Sequence, residues 1–163
     1  MIHGARAISR RHGTCLDGKR QGGAFRVGGR WSSAGTRVLY TAIDPSTAIL
    51  EVAEHKGLYS LDTVRHTLLE IGMVDLAQVH VVDTASIPNP NWLRPGTVSG
   101  GQQAFGDALF AIHPMVLIPG VVSTHSWNLL IEVSAAKGLF KLRSSEPFAL
   151  NPRLNPLGVA VAR

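Results

Sequence analysis

An arginine, a phenol and a carboxylate follow one another in three short segments: Gly28-Gly29-Arg30-Trp31, then Val38-Leu39-Tyr40-Thr41-Ala42, then Ala48-Ile49-Leu50-Glu51. Each residue type has a distinct chemical capacity. An arginine carried on a Gly-Gly turn offers a planar fork that grips phosphate or ribose oxygens bidentately, where lysine is only a point charge. A tyrosine offers a flat face and a hydroxyl. A carboxylate stabilises positive charge that develops during bond breaking. Taken singly, each also has an ordinary reading: Arg30 as a surface charge, Tyr40 as a core strand residue, Glu51 as a solvent-facing helix acid.

The elements that must hold these residues are partly readable. Arg37 to Ile43 is β-branched and aromatic enough for a strand. Asp44 is a natural N-cap and Pro45 suits a first helical turn, so a helix is predicted from Ser46 to Lys56 with Gly57 as its stop. On that helix Ile49, Val52, Ala53 and Lys56 trace one face, while Thr47, Glu51 and His55 fall at i, i+4 and i+8 on another. Ala5 to Ser9 reads as a first strand. Arg10 to Gly35 has no hydrophobic period and carries Gly13, Gly18, Gly22, Gly23, Gly28 and Gly29, which marks a functional loop.

Strands are expected at His66 to Gly72, Ala77 to Val82, Met115 to Ile118, Trp127 to Val133 and Leu139 to Arg143. A second helix is expected from Gln102 to Ile112, with Phe105, Leu109 and Ile112 at helical spacing. Pro88, Pro90 and Pro95 around Trp92 exclude regular structure between Ile87 and Gly96, and the tail from Glu146 is interrupted by proline. Many strands with few helices and no βαβ alternation indicate a mixed α+β fold. At 163 residues and 45% apolar content, one domain spanning 1–163 is expected.

Composition narrows the function. No apolar run reaches the roughly 18 residues of a membrane span, and no apolar h-region follows the basic N-terminus, so a cytoplasmic protein with no membrane contact is expected. Cys15 is the lone cysteine and has no partner for a disulfide. The formal charge of +5 is concentrated. Arg6, Arg10, Arg11, Lys19, Arg20, Arg26, Arg30 and Arg37 precede position 38, against Asp17 as the single acid there. Such a field suits nucleic acid, a phosphorylated small molecule or an acidic partner protein.

No phosphate loop, dinucleotide-binding glycine motif, nucleophile elbow or zinc-protease motif is present. The seven histidines have no metal-site spacing, so no metal is expected, and His66, His80 and His113 read as structural. No aromatic and basic interleaving suggests a nucleic-acid module.

In order and spacing, the GGRW, LYTA and LE segments together resemble the RES domain, the toxin half of a class of bacterial toxin-antitoxin pairs. The resemblance begins at Arg6 and continues through Leu16-Asp17-Gly18, Gly23-Ala24, Gly106-Asp107-Ala108, Pro119, Asn128, Pro147-Phe148 and Asn151-Pro152-Arg153-Leu154. Gly120 stands where the family's serine normally follows the proline, with Ser123 and Ser126 as nearby hydroxyls. Ser32 follows the tryptophan where the family usually has asparagine or histidine, and Glu132-Val133 replaces a second Asn-Pro.

The resemblance implies a central β core like that of ADP-ribosylating toxins and cleavage of the nicotinamide–ribose bond of NAD⁺, with NAD⁺ as substrate and no prosthetic group. It implies catalytic roles for Glu51, Arg30 and Tyr40. Contacts to the dinucleotide would come from Arg6, Gly29, Arg30, Trp31, Tyr40, His55 and Asn128. Trp31 reads equally as a packing residue, and His55 either orients Glu51 or caps its helix. Alternatives are ADP-ribose transfer to a cellular protein, or, more distantly, a basic nucleic-acid-binding or inactive interaction domain. The implied partner is an antitoxin with an Xre-like helix-turn-helix fold.

Overall fold

A computed structural model describes residues 4–10, 23–63, 65–94, 98–149 and 151, with positions 4–10, 23, 60 and 62 described by backbone alone. Among these residues the strands form one seven-stranded sheet, ordered β4-β5-β6-β2-β1-β3-β7. The strands are β1 (Gly4–Arg10), β2 (Val38–Ala42), β3 (His66–Met73), β4 (Val79–Val81), β5 (Met115–Pro119), β6 (Trp127–Glu132) and β7 (Phe140–Phe148). The helices are α1 (Gly23–Val27), α2 (Pro45–Lys56), α3 (Leu58–Thr63) and α4 (Gly100–Phe110). Among the described strands only β4 and β5 pair in parallel, with α4 between them in sequence, so the fold is mixed α+β and these residues contain one βαβ unit. No described helix is long and apolar enough to cross a membrane.

Directly opposed residues of paired strands project from the same sheet face. Odd-numbered residues of β2, β3, β5 and β6 therefore gather on one side: Leu39, Leu69, Ile71, Met73, Met115, Leu117, Leu129 and Ile131 form one apolar cluster, sealed by Trp127, Val133, Ala136, Leu139 and Phe140. Even-numbered residues Val116, Ile118 and Leu130 form a second cluster on the other side with Trp31, Val82, Ile87, Trp92 and Phe110. Having both faces covered explains why β5 reads as an unbroken apolar run and is buried at all five positions.

The even face also carries the polar residues. One cross-strand row runs Ile118, Asn128, Ala42, position 6, Glu70, Ser144, and the next contains Val116, Leu130 and Tyr40.

Several expectations are corrected. The glycine-rich stretch contains α1, and a short α3 follows Gly57 directly. The strand expected at Ala77 to Val82 shortens to β4 because Asp75 caps a 3-10 turn over Leu76–Gln78, accepting from the Ala77 N–H at 2.9 Å. β7 continues through Pro147, which pairs with Thr67. Proline is tolerated there because β7 is an edge strand, and a missing N–H on the open side costs no ladder bond.

α2 is capped as expected by Asp44 and followed by Gly57, but its buried residues are Thr47 and Ala48 rather than the Ile49, Val52, Ala53, Lys56 face. α4 buries Gln102, Gly106 and Phe110, while Ile112 lies beyond the helix end and is 74% exposed.

Gly106 lets α4 pack tightly against the Arg30 turn: a Cβ there would overlap the Trp31 carbonyl. Backbone atoms cannot swing aside as a side chain end can. Gly106→Ala is therefore expected to destabilise the fold by about 3 kcal/mol, at the upper end for overpacking, measured as a lowered urea midpoint. An unchanged midpoint would mean that the helix is free to shift.

Candidate active site

Arg30 sits at the tip of a tight turn. The Gly29 N–H donates to the Ser32 carbonyl at 2.8 Å, closing the bridge between these two residues. Tyr40 stands beneath it. Its hydroxyl accepts from the Trp31 N–H at 3.2 Å and lies 3.0 Å from the Ser32 hydroxyl. The phenol leaves no room for a side chain at Gly29, where a Cβ would fall inside its van der Waals surface. Burial raises the Tyr40 pKa, and the Asp107 carboxylate adds to it. The contacts with Ser32 and the Trp31 N–H, and the Arg30 charge, work the other way. The phenol therefore stays protonated at neutral pH.

Trp31 faces away from the turn into the second apolar cluster. It is 3% exposed and packs against Trp92 at 5.9 Å and Phe105 at 6.3 Å between ring centroids. Of its two sequence readings, packing anchor describes its ring. The Arg30 guanidinium meanwhile rests on carbonyls: its Nη1 donates to Trp92 at 3.2 Å and to Arg94 at 3.4 Å. It forms no ion pair among the described residues, so its charge is left for an anion.

Glu51 projects from α2 toward the first residues of β6, where the Asn128 Nδ2 donates to its Oε1 at 2.7 Å. The Asn128 Oδ1 is buried and has no hydrogen-bond partner among the described residues. Gly120 approaches the same oxygen: a Cβ there would stand 3.4 Å from Oε1 and 3.2 Å from the Ser123 carbonyl. Asn128 and Tyr40 share the even sheet face as diagonal neighbours across β6 and β2. The fold thus brings Gly29, Arg30, Trp31 and Tyr40 into one group, and Glu51 and Asn128 into a second on the same face.

One expected member falls elsewhere. His55 lies on the exposed last turn of α2, with its Nδ1 3.2 Å from Glu54 Oε2, so it pairs with that neighbour and not with Glu51. The backbone at position 6 lies in the same row as Asn128, but the Arg6 side chain is outside the described residues, as are Cys15 and Leu16-Asp17-Gly18.

Ser126 does not supply the hydroxyl missing at Gly120. Its Oγ donates to Asp44 Oδ2 at 3.0 Å and meets Thr47 Oγ1 at 2.5 Å, so it ties the β5–β6 connection to the start of α2. Thr47 also gives its N–H to Asp44 Oδ1 at 2.9 Å and its hydroxyl to Oδ2 at 2.6 Å. Sequence reasoning identified Asp44 as a cap and named Ser126, Ser32 and Asp107, but it did not find their contacts with Asp44, Tyr40 and Ser33, and it missed Gln102 and Gln103 of α4. Polar residues recurring on the inward stripe of α4 were the available signal.

His66 is buried, and His80 stacks on His113 at 4.0 Å with their planes 6° apart, in keeping with structural roles. No group of three or more His, Cys, Asp or Glu among the described residues is arranged to hold a metal.

Residues 5–151 match the RES domain family. The chain belongs to that family. The RES match runs from the second residue of β1 through β7 and includes all the site residues above. Among solved structures, a chain of the M. tuberculosis MbcT–MbcA toxin–antitoxin complex superposes with a TM-score of 0.74 at 23% identity, over 93% of this chain and 86% of that one. At that identity the likeness concerns the fold. No curated protein sequence matches the chain.

Asp44 links the site to pH. Burial pushes its carboxyl up, but the Thr47 side chain and N–H, the Ser126 hydroxyl and the Ser46 N–H outweigh it and hold the pKa below its ordinary value. A depressed folded value means that the stabilisation is present at neutral pH and is lost as pH falls through that value. Asn keeps a capping oxygen but loses the charge at the helix N-terminus, so Asp44→Asn is expected to cost about 0.5 kcal/mol at pH 7. The gap to wild type should close once the pH drops below the ordinary aspartate range, as read from urea midpoints across pH. A gap independent of pH would contradict the charged cap.

Proposed function

We propose that this RES-domain protein is a toxin that consumes NAD⁺ by breaking the bond between nicotinamide and ribose. The observation that carries this reading is Glu51, held by Asn128 on the sheet face that also presents Tyr40 beneath Arg30, whose charge has no ion pair among the described residues. The C1′–N bond breaks with its electron pair leaving on nicotinamide, which departs neutral. The ribose carbon gains oxocarbenium character, which the Glu51 carboxylate stabilises. An acceptor oxygen, from water or phosphate, then bonds to C1′ and sheds its proton.

The remaining residues bind and orient. Arg30 takes the pyrophosphate, whose oxygens suit its planar fork, with Arg6 as a second clamp. Tyr40 supplies a flat surface for the nicotinamide and Gly29 a close backbone approach. Asn128 fixes one oxygen of Glu51 and keeps its own Oδ1 for a ribose hydroxyl. His55 has no part in this scheme.

The solved relative comes from a toxin–antitoxin complex, and we extend this to the present chain: an antitoxin, by family an Xre-like protein, is its partner. An acidic segment of that partner meets the basic N-terminal region, so the complex is expected to weaken as salt rises.

Incubation of purified protein with NAD⁺, with and without phosphate and cell lysate, tests the reading. Free nicotinamide without labelled protein is the expected result, whereas labelled protein would make the enzyme a transferase. Glu51→Gln is expected to lower kcat by about 10²–10³-fold with little change in KM, the pattern of an interaction made only in the transition state. Arg30→Lys is expected to raise KM for NAD⁺. No nicotinamide from the wild type, or full activity in Glu51→Gln, would overturn the proposal.

A further inference from the structure

Two adjacent glutamines on α4 reach the Arg30 segment from opposite ends. The Gln103 Nε2 donates to the Gly29 carbonyl at 3.0 Å and the Ser32 carbonyl at 3.2 Å, which fixes the backbone on both sides of Arg30. Gln102 is 4% exposed. Its Nε2 donates to the Trp92 carbonyl at 3.5 Å, and its Oε1 accepts from Asn89 Nδ2 at 2.8 Å. The Trp92 carbonyl is also where the Arg30 guanidinium lands, at 3.2 Å. One glutamine thus holds the root of the arginine and the other holds the oxygen on which its tip rests.

The same helix adds two more contacts to the turn. Asp107 Oδ1 accepts from the Ser33 N–H at 3.1 Å, and Gly106 lets the helix backbone press against the Trp31 carbonyl. A long arginine side chain has many rotamers, and restricting them before a ligand arrives removes an entropic cost from binding.

We infer that Gln102 and Gln103 are positioning residues that hold the Arg30 guanidinium ready for an anionic ligand. As it concerns a pyrophosphate ligand, the inference rests on the NAD⁺ reading above. It goes beyond that reading in assigning a role to two side chains that approach Arg30 only through backbone carbonyls.

The test uses Gln102→Met and Gln103→Met, which keep side-chain length and lose the donors. Each is expected to raise KM for NAD⁺ by about tenfold while kcat stays within about threefold, the signature of lost ground-state binding. The exchange of the Arg30 guanidinium N–H protons with water, followed by ¹⁵N NMR in the free protein, should accelerate in both. Leu109→Ala, a packing loss on the same helix, should lower Tm and leave KM and Arg30 exchange unchanged.

Unchanged KM and exchange in the glutamine variants, or the same changes in Leu109→Ala, would overturn the inference. If the wild type releases no nicotinamide, the functional reading falls. The Arg30 exchange rates then decide the positioning role by themselves.

Discussion

The register between β2 and β6 is the constraint on which the site depends. Pairing Ala42 with Asn128 and Tyr40 with Leu130 sends Tyr40 and Asn128 to the face covered by the helices and the Arg30 turn. A slip of one residue would turn one strand over relative to the other, exchanging Asn128 with Leu129 or Tyr40 with Leu39. Both leucines are buried in the first apolar cluster, and burying such a side chain contributes roughly 1.5–3 kcal/mol. The slip would expose that apolar surface to polar neighbours and bury an asparagine or a tyrosine among leucines and methionines with nothing to bond. The apolar side of the sheet therefore fixes the polar side, although none of its residues belongs to the candidate site.

The two longer helices break the same local rule for the same reason. An amphipathic helix normally turns an apolar stripe inward, yet α2 buries Thr47 beside Ala48 and leaves Leu50 exposed, while α4 buries Gln102 on the same side as Phe110. Each inward polar group has a partner across the interface: Thr47 meets Ser126, Glu51 meets Asn128, and Gln102 meets Asn89 and the Trp92 carbonyl. In a low-dielectric interior such bonds are costly to leave unmade, so they specify how each helix sits more sharply than apolar contact does. Local propensity gives way where the site needs precision.

That conflict also decides what was legible beforehand. The α2 boundaries were readable because Asp44, Pro45 and Gly57 act through local geometry. The apolar runs of β5 and β6 were readable because both of their faces are buried. The orientation of α2 and α4 was not, because it depends on residues distant in sequence: Asn128 is 77 positions from Glu51 and Asp107 is 74 from Ser33. Pro147 reads locally as a break, and only its place on an edge strand makes it harmless. His55 shares a sequence stripe with Glu51, but α2 leaves its last turn in solvent, so periodicity alone could not separate them.

The pairing of polar groups is nearly complete in the supports and incomplete at the centre. The capping network of Asp44, Thr47 and Ser126 leaves little unmet, and the Tyr40 hydroxyl is shared between Trp31 and Ser32. Beside them stand a guanidinium whose partners among the described residues are carbonyls, and an Asn128 Oδ1 that has no partner among those residues. An orphaned buried acceptor and a cation without a counter-ion each cost folding free energy. A ligand bearing both hydroxyl donors and anionic oxygens relieves both, and it gains affinity from groups that need not first abandon internal partners. The rigid supports matter for the same reason: if Gly29, Trp31 or Glu51 could relax, the unmet groups would find partners within the chain and the advantage to the ligand would disappear.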